Sequence, residues 1–128
     1  MIDHVDHIVL TTRDLAGCMR FYCEVLGMKA EKFQTPTETR LAFKFGSQKI
    51  NVHEWGREFT PRAHVAAPGT LDLCFIASVP LDDVMARLQA AGVPILEGPV
   101  MKTGATGKIR SVYVRDPDLN RVEISEYA

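Results

Sequence analysis

The chain has little of what would place it in a specialised class. Of its 128 residues only three are cysteine and one is tryptophan; basic side chains number 15 and acidic ones 16, for a formal net charge of −1. Three cysteines cannot all pair, and Cys18 and Cys23, five apart in one helical pattern, suit neither a bridge nor a CxxC motif. The thiols therefore read as reduced, in a cytosolic protein. No apolar run approaches the roughly 20 residues a membrane helix needs, and no basic apolar leader opens the sequence, so neither membrane spanning nor secretion is expected. A charge near zero removes the electrostatic basis for broad nucleic-acid binding, and no GxGxxG or Walker spacing points to a nucleotide. A chain of this length suits one domain, 1–128, burying roughly two thirds of its unfolded surface.

What is present is a repeat. His7 to Gly27 and Asp72 to Gly92 are intervals of equal length, and each reads strand, helix, glycine stop. His4 to Thr11 alternates, with Val5, His7, Val9 and Thr11 on one face. A helix starts from an Asp14 N-cap and carries Leu15, Met19, Phe21, Tyr22, Val25 and Leu26 to the stop at Gly27. Strands are expected over 30–33, 40–45 and 49–54, giving βαβββ for a first module of about 1–56. Residues 57–69 read as a connection. The second module, about 70–128, repeats the order: a strand over 70–77, a helix opened by Pro80 with Asp82 and Asp83 in its first turn, then strands over 95–100, 109–115 and 121–125. The fold class is α+β: two βαβββ modules in a curved sheet of about eight strands, helices on the convex face and a cup on the other.

Strand parity nominates the residues of the cup. Val122 and Ile124 share one face, leaving Glu123 and Ser125 on the other; Ile50 and Val52 likewise leave Asn51 and His53, with Glu54 facing away. Laying the modules over each other matches His7 with Asp72 and Asn51 with Glu123. Cys74, same-faced with Asp72, reads as a buried inert thiol. His4 and His64 receive no role. Lys102, Lys108 and Arg110 surround the Gly-rich stretch 103–107, a positive edge suited to a carboxylate or phosphate of a small anionic substrate.

DHIVLTTRDL at 6–15, FYCEVLGM at 21–28 and RDPDLNRVEIS at 115–125 resemble the vicinal oxygen chelate superfamily, which includes glyoxalase I, extradiol dioxygenases, fosfomycin resistance proteins, methylmalonyl-CoA epimerase and bleomycin-binding proteins. KINVHE at 49–54 and EGPVMKTGATGKI at 97–109 are most similar to the small glyoxalase domain-containing proteins. The resemblance implies a divalent metal in the cup that substrates chelate through adjacent oxygens. Matched residue by residue, its ligands are His7, then Asn51 or His53, then Asp72, then Glu123. Asp72 stands where His is usual, and Asn51 where a carboxylate or His is usual.

Imidazole with carboxylates suits Zn, Mn, Ni, Co or Fe(II), and a triad of His7, His53 and Glu123 would match non-haem Fe(II) oxygenases. The leading expectation is a metal-dependent lyase or isomerase. In it the ion stabilises an enediolate while Glu123, or Asp72, shuttles a proton, with Asn51, Lys102 and Arg110 binding substrate. The alternatives are an extradiol-type Fe(II) dioxygenase and a metal-free drug- or metabolite-binding protein. A homodimer is expected.

Overall fold

The computed structural model describes residues 1–128. It divides the chain into two compact units, Met1–Thr70 and Leu71–Ala128. Each is a βαβββ module, here module 1 and module 2, and each holds one four-stranded mixed sheet.

In module 1 the order is β1 (His7–Thr12), α1 (Leu15–Met19) with its extension Arg20–Val25, β2 (Lys29–Gln34), β3 (Thr39–Phe45) and β4 (Gln48–Glu54). The sheet runs β1-β4-β3-β2, with β1 parallel to β4 and the remaining pairs antiparallel. Asp14 caps α1 as its sequence suggests, its Oδ1 accepting from the Gly17 amide at 3.0 Å. The helix then departs from the expected uniform α form: Arg20–Val25 is π-helical. The wider turn buries two consecutive aromatics, Phe21 and Tyr22, and the Tyr22 ring stacks on Phe43 of β3 at 5.7 Å. Gly27, at φ 81°, closes the element. Ile50, Val52, Leu10 and Phe43 are buried. Each is worth roughly 1.5–3 kcal/mol of apolar burial.

In module 2 the order is β5 (Asp72–Ile76), α2 (Leu81–Ala90), β6 (Glu97–Thr103), β7 (Lys108–Arg115) and β8 (Arg121–Tyr127), and the sheet runs β5-β8-β7-β6 with β5 parallel to β8. Leu81, Val84 and Leu88 are the buried stripe of α2, which packs on β7 and β8 over Val112, Val114, Val122 and Ile124. The β6–β7 register shifts between Glu97 and Val100. Gly98 lies in that shift at φ 106°, so close to the Ser111 carbonyl that no Cβ fits.

Asp116-Pro117-Asp118 forms the expected turn. Asp116 Oδ1 accepts from the amides of Asp118 and Asn120, both at 2.9 Å. The Asn120 side chain ties the turn to β5, donating to Asp116 Oδ2 at 2.8 Å and accepting from the Leu71 amide at 2.9 Å. No helix is long and apolar enough to cross a membrane.

Candidate functional site

The duplication is carried into the strand registers. Across each parallel pair, His7 lies opposite Lys49 and Asp72 opposite Arg121; Val9 opposite Asn51 and Cys74 opposite Glu123; Thr11 opposite His53 and Ile76 opposite Ser125. Since side chains alternate along a strand, these residues share the sheet face opposite the helix-covered one.

On that face of module 2 the centre is Glu123, half-buried, with Cys74 on one side and Tyr113 of β7 on the other. Ser125 Oγ donates to its carboxylate at 3.4 Å and is itself bonded to Ser111 Oγ at 2.6 Å. Burial, followed by the charge of Glu123 and a hydrogen bond to it, pushes the Tyr113 phenol up. Glu123 forms no ion pair, whereas Asp72 is held by Arg121, whose Nε lies 3.1 Å from both carboxylate oxygens. The Arg121 guanidinium also lies over the Tyr113 ring at 4.9 Å. Cys74 is solvent-exposed rather than buried, its Sγ 3.5 Å from Ser125 Oγ; desolvation, opposed by that hydrogen bond, pushes its thiol up, away from a reactive thiolate.

On the corresponding face of module 1, the Asp6 carboxylate lies 2.8 Å from His7 Nδ1, a bond that draws the Asp6 pKa down and leaves Nε2 uncommitted. Asn51 Oδ1, His53 Nδ1 and Arg40 Nε are buried without a hydrogen-bond partner. His53 packs edge-on against Phe59 at 4.7 Å, and the Arg40 guanidinium lies over the same ring at 4.1 Å. Desolvation first, then the charge of Arg40, holds the His53 pKa below its ordinary value.

Several expected site residues take other positions. His53 is not brought beside His7: the register sets it four residues, roughly 13 Å, further along the strand, so the proposed two-histidine triad is not assembled in module 1. Asp72 is committed to Arg121 rather than free to ligate. Arg110 shares its parity with Val112 and Val114 and so faces α2, where it pairs with Asp82 at 3.2 Å and Glu126 at 3.9 Å instead of a substrate. Lys102 does share the Glu123 face, over the Tyr113 ring at 5.6 Å, but pairs with Glu97 at 3.6 Å. Tyr113 and Arg121 were missed in the sequence. Odd-numbered parity along 109–115 and 121–125 was the available signal for both Tyr113 and Arg121, whereas the pairing of Arg121 with Asp72 required the β5–β8 register.

Some of the residues named as donors to a divalent ion fit that role and one does not. His7 fits: a ligating imidazole characteristically has its other nitrogen bonded to a carboxylate, as Asp6 does here. Glu123, without an ion pair, and the orphaned amide oxygen of Asn51 also fit, while Asp72 does not. Neither module by itself gathers three His, Cys, Asp or Glu side chains for an ion.

Residues 4–124 match the family model described as the Glyoxalase/Bleomycin resistance protein/Dioxygenase superfamily. The chain is 51% identical over 127 residues to virulence protein STM3117 of Salmonella typhimurium, covering 99% of this chain and 86% of that protein. It is 46% identical over 123 residues to glyoxalase domain-containing protein RDO1 of Mycosarcoma maydis, covering 96% and 68%. The crystal structure of STM3117 superposes with a TM-score of 0.94 over 100% of this chain and 99% of that one. The lactoylglutathione lyase of Agrobacterium tumefaciens, 25% identical, superposes at 0.72 over 98% and 95%.

Proposed function

We propose, for a chain that belongs to the Glyoxalase/Bleomycin resistance protein/Dioxygenase superfamily, that it is a small-molecule lyase or isomerase with Glu123 as its proton-transferring base. The observation that carries this reading is the state of Glu123. It is half-buried in mid-strand, accepts from the Ser125 hydroxyl and forms no ion pair of its own, while its acidic neighbours on the same face, Asp72 and Glu97, are each paired with a cation. A half-buried carboxylate with no ion pair of its own, the Arg121 charge that it feels being held by Asp72, is a candidate for use by a ligand or a reaction.

In the proposed step Glu123 takes a proton from a substrate carbon next to a carbonyl, the electron pair moves into an enediolate, and the proton is returned to the adjacent carbon. The Tyr113 and Ser125 hydroxyls orient the carboxylate. His7 and the Asn51 amide oxygen, on one face of module 1, are the proposed donors to a divalent ion; when bound, such an ion would supply Lewis-acid chemistry.

The test is deuterium wash-in from D2O, followed by NMR, at the hydroxyl-bearing carbon of lactoylglutathione and a panel of α-hydroxyketones. Glu123→Gln is expected to lower the rate by roughly 10²–10⁴-fold. A Gln variant as fast as the native chain, or no exchange with any compound, would overturn the assignment. Metal analysis of tag-free protein tests the donors: native protein should carry metal, and His7→Ala should lose it.

A further inference from the structure

We propose that the open sheet face of module 1 binds the carboxylate of a small organic acid, with Lys49 as counter-ion and the Phe33 ring as platform. Duplication supplies the first ground. Lys49 and Arg121 occupy matching registers, each opposite the first residue of its module's leading strand. Both cations also lie over an aromatic ring, Arg121 on Tyr113 at 4.9 Å and Lys49 on Phe33 at 4.2 Å. In module 2 the cation holds a carboxylate that the chain itself provides, Asp72. In module 1 the residue in that place is His7, and Lys49 forms no ion pair.

The acids nearest to Lys49 are engaged elsewhere. Glu31 pairs with Lys44 at 3.6 Å, and Asp6 is bonded to His7 at 2.8 Å. Lys49 is thus a half-buried lysine with no ion pair of its own, and the one carboxylate whose charge it is seen to act on, Asp6, is bonded to His7.

The second ground is space. A cavity of about 320 Å³ opens at this point, lined by Lys49, Phe33, Ala42, Lys44, Glu31 and Asp6 among others. That volume is at the small end of small-molecule sites. A carboxylate on Lys49 would lay the remainder of its molecule over Phe33 and Ala42, the apolar part of the lining. Glu31 and Asp6 at the rim would repel a second negative charge, so the chemistry selects a monocarboxylate with an apolar body. This inference requires neither Glu123 nor a metal.

The probe is phenylacetate, titrated into the full chain and followed by amide NMR, with the neutral 2-phenylethanol as comparison. Phenylacetate is expected to shift amides of β2, β3 and β4 saturably and to bind at least roughly tenfold tighter than the alcohol, the worth of one charge-assisted contact. Lys49→Gln should weaken it by a similar factor. Lys32→Gln, on the other face of β2, should not, and neither should Glu123→Gln, which separates this inference from the catalytic reading. Equal binding of the alcohol, native-like binding by Lys49→Gln, loss of binding in Glu123→Gln, or no saturable shift up to about 20 mM would each overturn it. The comparison of acid with alcohol uses only the native chain, so it stands even where a variant fails to fold.

Discussion

Asn120→Ala should be among the most damaging single changes in module 2. The side chain is 1% exposed and joins two segments far apart in sequence: its Nδ2 donates to Asp116 Oδ2 at 2.8 Å and its Oδ1 accepts from the Leu71 amide, 49 residues away, at 2.9 Å. A buried hydrogen bond to a charged group is worth roughly 1.5–3 kcal/mol and a neutral one roughly 0.5–1.5, so removing both should cost about 2–4 kcal/mol. Against a total stability of about 5–15 kcal/mol that is a large fraction. The assay is urea unfolding followed by circular dichroism, where the midpoint should fall by roughly 1–2 M. Asn120→Asp adds a control. It keeps an acceptor for Leu71 but sets a second carboxylate against Asp116, so it should be at least as destabilising as alanine. A loss below about 1 kcal/mol for Asn120→Ala, or an aspartate variant milder than the alanine one, would show that the bond to Asp116 is not the larger contributor.

Two further outcomes follow from backbone and titration. Leu119 adopts φ 68° with its side chain 68% exposed, a conformation that costs a β-carbon-bearing residue roughly 1–2 kcal/mol while its burial returns little; Leu119→Gly should therefore raise the melting temperature, and a lowered one would refute this. His53 has its pKa depressed, by desolvation first and by Arg40 second, with Glu58 and Glu38 opposing. A depressed histidine favours its neutral form in the folded state, so its contribution to stability is present above the unfolded value near 6.5 and is lost as pH falls through the folded pKa. Urea midpoints measured between pH 7.5 and about 5 should drop for the native chain, and His53→Gln should flatten that part of the slope; an unchanged slope would refute it.

Much of the fold could be read from period and punctuation, because both follow from local rules. Asp14 and Gly27 bound the first helix, Pro80 precedes α2, and alternation along 121–125 sets Glu123 apart from Val122 and Ile124. The π-helical stretch was hidden because Phe21 and Tyr22 fit a helical stripe of either width, and only the packing of both rings distinguishes them. Arg110 was legible and was misread: its parity with Val112 and Val114 already placed it under α2, but its nearness in sequence to a Gly-rich loop suggested an anion site. The Asp72–Arg121 pair was not legible in local sequence. It depends on a parallel register between strands separated by a helix and two further strands, and a shift of one residue there would reverse every face.

The two modules differ at their central stations for a reason visible in the neighbouring strand. Opposite Glu123 on β7 stands Tyr113, whose hydroxyl helps satisfy the carboxylate; opposite Asn51 on β3 stands Ala42, which offers nothing. A buried neutral amide oxygen left without a partner costs about 1–3 kcal/mol, whereas a buried carboxylate in the same position would cost several more unless paired. Module 1 thus tolerates an amide at position 51 where it would not tolerate an uncompensated acid. Module 2 holds its acid because β7 and β8 bring hydroxyls to it and because the Arg121 charge, although paired with Asp72, is close enough to act on it. Replacing Tyr113 would therefore remove a donor that keeps Glu123 in place, and replacing Asp72 would free Arg121 to neutralise it. Both changes act on the proposed base without touching its own side chain.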